Sequence, residues 1–291
     1  MRRLLLPLIA AIAITTLAAP PKLDPAYAHD IALWKQERNQ ELRTEWLPLA
    51  GLFWLKEGES TFGSAPDNQV VLPKGPAHAG VFAMKEGGKV GVVLNAGVKA
   101  TVAGKPVHQT PLQTVPPGPQ TILAMGDLRM FAIVRGARVG IRLLDLDSPA
   151  IQKFKGIETF PVDPAWRITA DWVPSPGKKI PIINVLNDVT QTDSPGLARF
   201  QVGGQTVTLR AVEDENELFF IFADATSGKT TYGAGRYLYT ALPKDGKVVL
   251  DFNKAHTPPC GYTPYATCPL PPAENKLKVA INAGERYNKQ H

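Results

Sequence analysis

The sequence predicts a mainly β protein: an antiparallel sandwich or barrel architecture in two packed β lobes, with one short N-terminal helix. Three observations carry this. Short alternating or apolar runs recur from Gly51 towards the C-terminus, with no helical periodicity between them. The 291 residues include 27 Pro and 25 Gly, punctuation that suits many turns. A hydrophobic content of 44% can fill a core in each lobe.

The chain opens with Met1-Arg2-Arg3, an apolar run from Leu4 to Ala19, and small residues at Ala26-Tyr27-Ala28. That is the three-part pattern of a cleaved secretory signal, and it predicts a periplasmic or secreted protein. Cleavage is expected after Ala28, with Ala18 or Ala19 as alternatives. The run contains Pro7 and falls short of the ~20 apolar residues that span a bilayer. Nothing later in the mature chain reads as a transmembrane segment. The Lys and Arg are scattered and the net charge is mild, so no stripe for nucleic acid emerges.

From His29 to Trp46, the residues Ile31, Trp34, Leu42 and Trp46 recur on one face, which predicts a helix stopped by Pro48. Strands are expected in KVGVVL (89–94), TVAGKPV (101–107), LRMFAIV (128–134) and ARVGIRLL (137–144), with a hairpin at Arg135-Gly136. A second series follows: WRITADWV (166–173), PIINVLN (181–187), LARFQVGG (197–204), QTVTLRAV (205–212), ELFFIFAD (217–224), RYLYTAL (236–242), KVVLDF (247–252) and LKVAI (277–281). The stretch 145–165 is weakest in pattern. The domains are therefore read as a signal peptide (1–28), an N-terminal helix with a β-sandwich (29–150), and a C-terminal antiparallel β domain (151–291).

The C-terminal domain holds the most unusual stretch, DFNKAHTPPCGYTPYATCPLPPAEN (251–275), which carries both cysteines and six prolines. In an oxidising compartment, Cys260 and Cys268 most simply form a disulfide. A metal clip using His256 with both thiols, or a reactive thiol, are the alternatives. A loop stiffened this way either seals a sheet edge or presents side chains. The candidates for presentation are Asp251, Asn253, His256, Tyr262, Tyr265, Asn275 and Glu285, with Asp224, Tyr232 and Arg236 from the neighbouring loop. An acid, an Arg, an amide and tyrosines suit a polar ligand, and they also suit acid/base chemistry. Equally, these residues could be turn caps, a structural ion pair and packing.

Other patterns carry less. Ala223 to Thr230 is a loosened phosphate-loop match, but the TYGAG that follows is poor helix material. No serine sits in a G-x-S-x-G elbow. Asp145 and Asp147 alone do not make a cation site.

The segments GLFWLKEGESTFGS (51–64), FADATSGKTTYGAGRYL (222–238), DFNKAHTPPCGYTPYATCPLPPAEN (251–275) and INAGE (281–285) resemble the bacterial family called domain of unknown function 1684. The resemblance spans about residues 34–286. It implies a signature region at Asp251 to Asn253, Pro258 to Cys260, Cys268 to Pro272 and Ala283 to Glu285, without an activity. A second likeness, in STFGSAPDNQVVLPKGPAHAGVF (60–82), is to the opening strands of forkhead-associated domains, through Gly63, Asn68 and His78-Ala79. Ser64 and Gly75 stand where that family's phosphate-reading Arg and Ser would be, so the likeness implies a β-sandwich and no phosphopeptide binding.

The expectation is an exported protein that binds a small polar molecule, glycan or envelope component through the Pro/Cys loop region. The alternatives are an exported hydrolase, using Asp224, Asp251, His256 and Glu285 with Arg236, and a protein-interaction scaffold. No cofactor or resident metal is called for. The sequence leaves enzyme against binder, and the oligomeric state, open.

Overall fold

The computed structural model describes residues 23–114, 119–214 and 216–287. The expected signal segment lies outside the described residues, apart from residues 23–28. Those residues open helix α1 (Pro25–Glu41). The helix begins four residues before the expected His29 because Asp24 and Pro25 form a start signal. The Asp24 carboxylate accepts from the N–H of Ala26 (2.7 Å), and Pro25 supplies a preset φ where no N–H is needed. One turn of wider π-helix (Leu42–Trp46) carries the chain to Pro48.

The first lobe is a sandwich of two sheets. Its strands are β1 (Leu49–Trp54), β2 (Gly58–Gly63), β3 (Val70–Val71), β4 (Gly80–Lys85), β5 (Lys89–Leu94), β6 (Ala100–Val102), β7 (Lys105–Val107), β8 (Gln109–Leu112), β9 (Leu123–Met125), β10 (Leu128–Arg135) and β11 (Arg138–Asp145). One sheet runs β1-β11-β10-β9-β6-β7 and the other β3-β2-β4-β5-β8. Period-two patterning sends Phe62, Phe82 and Val92 of one sheet, and Met130, Ile141 and Leu143 of the other, into a shared core. The Arg135-Gly136 hairpin forms as expected, with Gly136 at a φ of 57° and Arg135 opposite Arg138. Ser64 and Asn68 brace a turn: Ser64 Oγ donates to the Gly75 carbonyl, and Asn68 Nδ2 donates to those of Ala65 and Ala77.

The second lobe follows a connector in which Ser148 caps a short helix α2 (Pro149–Lys153) that the sequence did not announce. Its strands are β12 (Arg167–Pro174), β13 (Lys179–Ile183), β14 (Val189–Asp193), β15 (Gly196–Val202), β16 (Gln205–Arg210), β17 (Val212–Asp214), β18 (Glu217–Phe222), β19 (Arg236–Ala241) and β20 (Lys247–Asp251). They make a β16-β15-β12-β20 sheet, a β17-β18-β19 sheet and a β13-β14 hairpin, all antiparallel. Phe200, Phe220, Phe222 and Phe252 fill the core between the two larger sheets. The expected strand in LKVAI (277–281) is absent. That segment runs beside the 223–225 turn, and the Ile281 carbonyl accepts from Arg236 rather than from a strand neighbour.

Helix α1 packs on the second lobe, although it is contiguous in sequence with the first. Tyr27 donates to Asp251 (2.9 Å), Asp30 pairs with Lys254 (2.8 Å), and Arg38 donates to the Thr257 carbonyl (2.7 Å). The preferred cleavage point after Ala28 therefore falls inside α1. The lobes meet where the outer face of β10–β11 lies against the Pro/Cys loop: Arg138 reaches Asp188 at 2.5 Å and Arg135 Nε donates to Thr267 Oγ1 at 3.0 Å.

Candidate functional site

Most of the residues singled out from sequence prove to hold the second lobe together. Arg236 is fully buried, pairs with Asp224 at 2.5 Å and donates to the Ile281 and Ala283 carbonyls. Asp224 also accepts from the Thr226 N–H, so the loosened phosphate-loop stretch is closed on itself. Asn275 is a buried amide that bonds the Arg210 backbone through both ends and the Ile221 carbonyl. Asp251 and Asn253 share no strand face, because a 3-10 turn (Phe252–Lys254) follows Asp251; they meet at the Tyr27 hydroxyl. Tyr232 donates to the Cys260 carbonyl at 3.0 Å, and the half-buried Tyr265 is held by its backbone N–H to Thr263. Tyr262 donates to Glu285, which is fully buried, and Arg38 Nε lies 3.8 Å from the same carboxylate. Burial pushes the Glu285 pKa up, against the pull of Arg38 and Tyr262. Of the acid/base set expected of a hydrolase, His256 alone lines the cavity beside the Pro/Cys loop, while Asp224, Asp251 and Glu285 are spent on Arg236, Tyr27 and Tyr262.

The fold does bring the two cysteines together. Both are free thiols in this structure, and the Cys260 N–H donates to Cys268 Sγ at 3.1 Å, which sets the sulfurs side by side. The hydrogen bond between the sulfurs draws the Cys260 pKa down and pushes that of Cys268 up, which burial reinforces. Among the described residues, no three His, Cys, Asp or Glu side chains group as a metal ion would require.

The Pro/Cys loop forms one wall of a cavity of about 660 Å³, within the range of small-molecule sites. Pro259, Ala266, Thr267, Cys268 and Pro269 supply that wall. The outer face of β10–β11 contributes Arg135 and Arg142, α1 and the turn after it contribute Trp34, Glu37, Arg38, Glu41 and Trp46, and β18–β19 contribute Glu217, Phe219, Tyr237 and Tyr239. His256 completes it. Its backbone continues the pairing against β19, exchanging two 2.9 Å hydrogen bonds with Tyr237, and this sets its ring beside Tyr239 (centroids 6.0 Å apart, nearly parallel). Tyr239 in turn stacks on Phe219 at 4.5 Å. Burial, then Arg38, hold the His256 pKa down at about 3, so the imidazole is neutral at physiological pH.

Arg142 is the unusual member. It sits mid-strand on β11, its Nε is buried without a hydrogen-bond partner, and among the described residues no carboxylate pairs with it. Burial, then the neighbouring Arg135, push its pKa down to about 10. A guanidinium partly withdrawn from water without a counter-charge is a costly feature. It faces a hollow large enough to admit an anion.

Residues 152–286 match the family described as "Protein of unknown function (DUF1684)". The chain belongs to this family. A solution NMR structure of an uncharacterised protein from Haloarcula marismortui, 30% identical, covers 48% of this chain and 80% of its own, at a TM-score of 0.41. No curated protein matches. The DUF1684 segment supplies His256, Tyr237, Tyr239, Phe219, Glu217 and the Pro/Cys loop. Trp34, Glu37, Arg38, Glu41, Arg135 and Arg142 come from outside it.

Of the site candidates read from sequence, His256 and Cys268 line this cavity. Two signals pointed to the others. Arg142 interrupts the apolar run GI-R-LL of a strand, and Tyr237 and Tyr239 alternate in RYLYTAL.

Proposed function

We propose that the protein is an exported binder of a small polar molecule, held in the cavity between its lobes with an anionic group on Arg135 and Arg142. The observation that carries this reading is Arg142: a half-buried guanidinium without a carboxylate partner, its Nε buried and unbonded, opening on a hollow. A carboxylate or phosphate there would accept from a planar fork of donors and repay the desolvation already incurred. The aromatic ladder of Phe219, Tyr239 and His256 offers apolar contact area, in keeping with small-molecule sites. Export is supported by the basic start and apolar run of residues 1–19. Among the described residues no helix is long and apolar enough to cross a membrane. Processing after Ala18 or Ala19 would retain Tyr27 on Asp251, whereas processing after Ala28 would remove it.

The test is native mass spectrometry of the full chain expressed with its leader and recovered from the cell envelope, beside Arg142→Met. A small-molecule adduct on the wild type that is lost in the variant supports the reading. A wild-type protein that carries no adduct, and binds no member of a library of small carboxylates and phosphates by calorimetry, overturns it.

A further inference from the structure

The walls of the cavity are not uniformly charged. Arg135 and Arg142 lie on the β10–β11 face, beside Cys268 and Thr267 of the loop. The charges acting on Arg142 are another arginine and the Cys268 sulfur; no carboxylate is among them. The α1 side carries Glu37 and Glu41, one turn apart, with the buried Arg38 between them, and β18 opens on Glu217. There Tyr239 feels the reverse field: after burial, Asp214, Glu41 and Glu217 all push its phenol pKa up. Glu41 is already engaged, accepting from Arg38 (2.7 Å) and from Trp46 Nε1 (2.9 Å). Among the described residues no side-chain partner holds Glu37 or Glu217, and both are exposed at the rim. The rings of Trp34, His256 and Tyr239 form a continuous aromatic run in the same lining.

We infer that the ligand is zwitterionic: a molecule with an anionic group for the Arg135/Arg142 end and an ammonium or guanidinium group for the Glu37/Glu217 end, joined by an apolar stem lying on the aromatic wall. This rests on the proposed binding role of the same cavity and narrows its ligand class. A simple anion would satisfy the arginines and leave two rim carboxylates facing its apolar tail. A simple cation would leave Arg142 unpaired. A molecule with both groups answers both walls, and complementary charge at both ends rejects ligands carrying either charge alone. An ammonium group near Trp34 also gains from the face of the indole.

The test uses the full chain and three matched series in calorimetry: ω-amino acids of two to eight carbons, the carboxylates lacking the amine, and the amines lacking the carboxylate. One chain length of amino acid is expected to bind at least about tenfold tighter than its two half-matched partners. Glu37→Gln/Glu217→Gln, both surface changes that leave the core intact, should erase most of that preference without weakening the plain carboxylate. A carboxylate that binds as tightly as its amino acid overturns the zwitterion and leaves the anion-binding role standing. Failure of all three series to bind overturns the zwitterion, and failure of the small phosphates beside them overturns the anion-binding role as well. Retention of the full preference in the double variant refutes the placing of the cationic end.

Discussion

Replacing Arg142 with Met should make the protein more stable while abolishing ligand binding. The folded chain holds this guanidinium with a pKa of about 10, below its ordinary value of 12.5, because burial and Arg135 both disfavour the charged form. At one pKa unit per ~1.4 kcal/mol, the charged folded state at neutral pH is disfavoured by up to roughly 3 kcal/mol. Solvent at the cavity mouth screens part of this, leaving about 1–2 kcal/mol. The sign follows from the direction of the shift. A depressed folded pKa makes the penalty constant below about pH 10, and it fades as the pH rises through that value. Methionine keeps the methylene stem that packs on β11 and removes the charge. For a chain of this size the gain corresponds to a rise in Tm of about 2–8 °C. Urea unfolding at pH 7, with the same slope in both proteins, measures it. If Arg142→Met unfolds at lower urea than wild type by 1 kcal/mol or more, Arg142 is compensated inside the fold and the argument for a waiting anion site collapses.

Three further expectations concern the frame of the site. His256 has a folded pKa of about 3 against 6.5 when unfolded, so the unfolded chain takes up the proton first and stability falls as the pH drops below 6.5. By pH 5 the loss should reach about 2 kcal/mol, and His256→Gln should flatten the profile between pH 7 and 5; an unchanged slope refutes the neutral buried imidazole. Arg236→Met strands the buried Asp224 carboxylate and should cost about 3–5 kcal/mol. A variant that melts within a degree of wild type would show that this pair is not structural. Exposure of the purified protein to oxidised glutathione should close Cys260 to Cys268, with loss of two hydrogens by mass and a stability gain of roughly 2.5 kcal/mol for so short a loop. Two thiols that remain titratable after that treatment would count against the disulfide expected in an oxidising compartment.

The strands were legible where alternation ran unbroken. KVGVVL, LRMFAIV and ARVGIRLL formed β5, β10 and β11, because each buries one face in a sandwich core. Shorter or Gly-containing strands such as β2 and β9 gave too few alternations to read. LKVAI misled because alternation reports a half-buried segment, and burial there is met without a strand partner. The site was harder for another reason. Asp224, Arg236 and Asn275 have the chemistry of a site but spend it on each other and on backbone carbonyls, a distinction that depends on distance alone. The cavity draws on residues some two hundred positions apart, and nothing local in Arg142 or Glu37 announces the other. The neighbourhood of the Pro/Cys loop was foreseen; the faces opposite it were not.

The arginine pair and the acids of α1 lie outside residues 152–286, the portion that carries the family match. Relatives sharing only that portion would inherit the imidazole, the tyrosines and the proline-stiffened rim, but neither the arginine pair nor the helix-borne acids. On the proposed reading, the matched portion serves as a mould and the leading segment as the stamp that decides which molecule fits, so relatives whose leading segments differ should differ in what they bind.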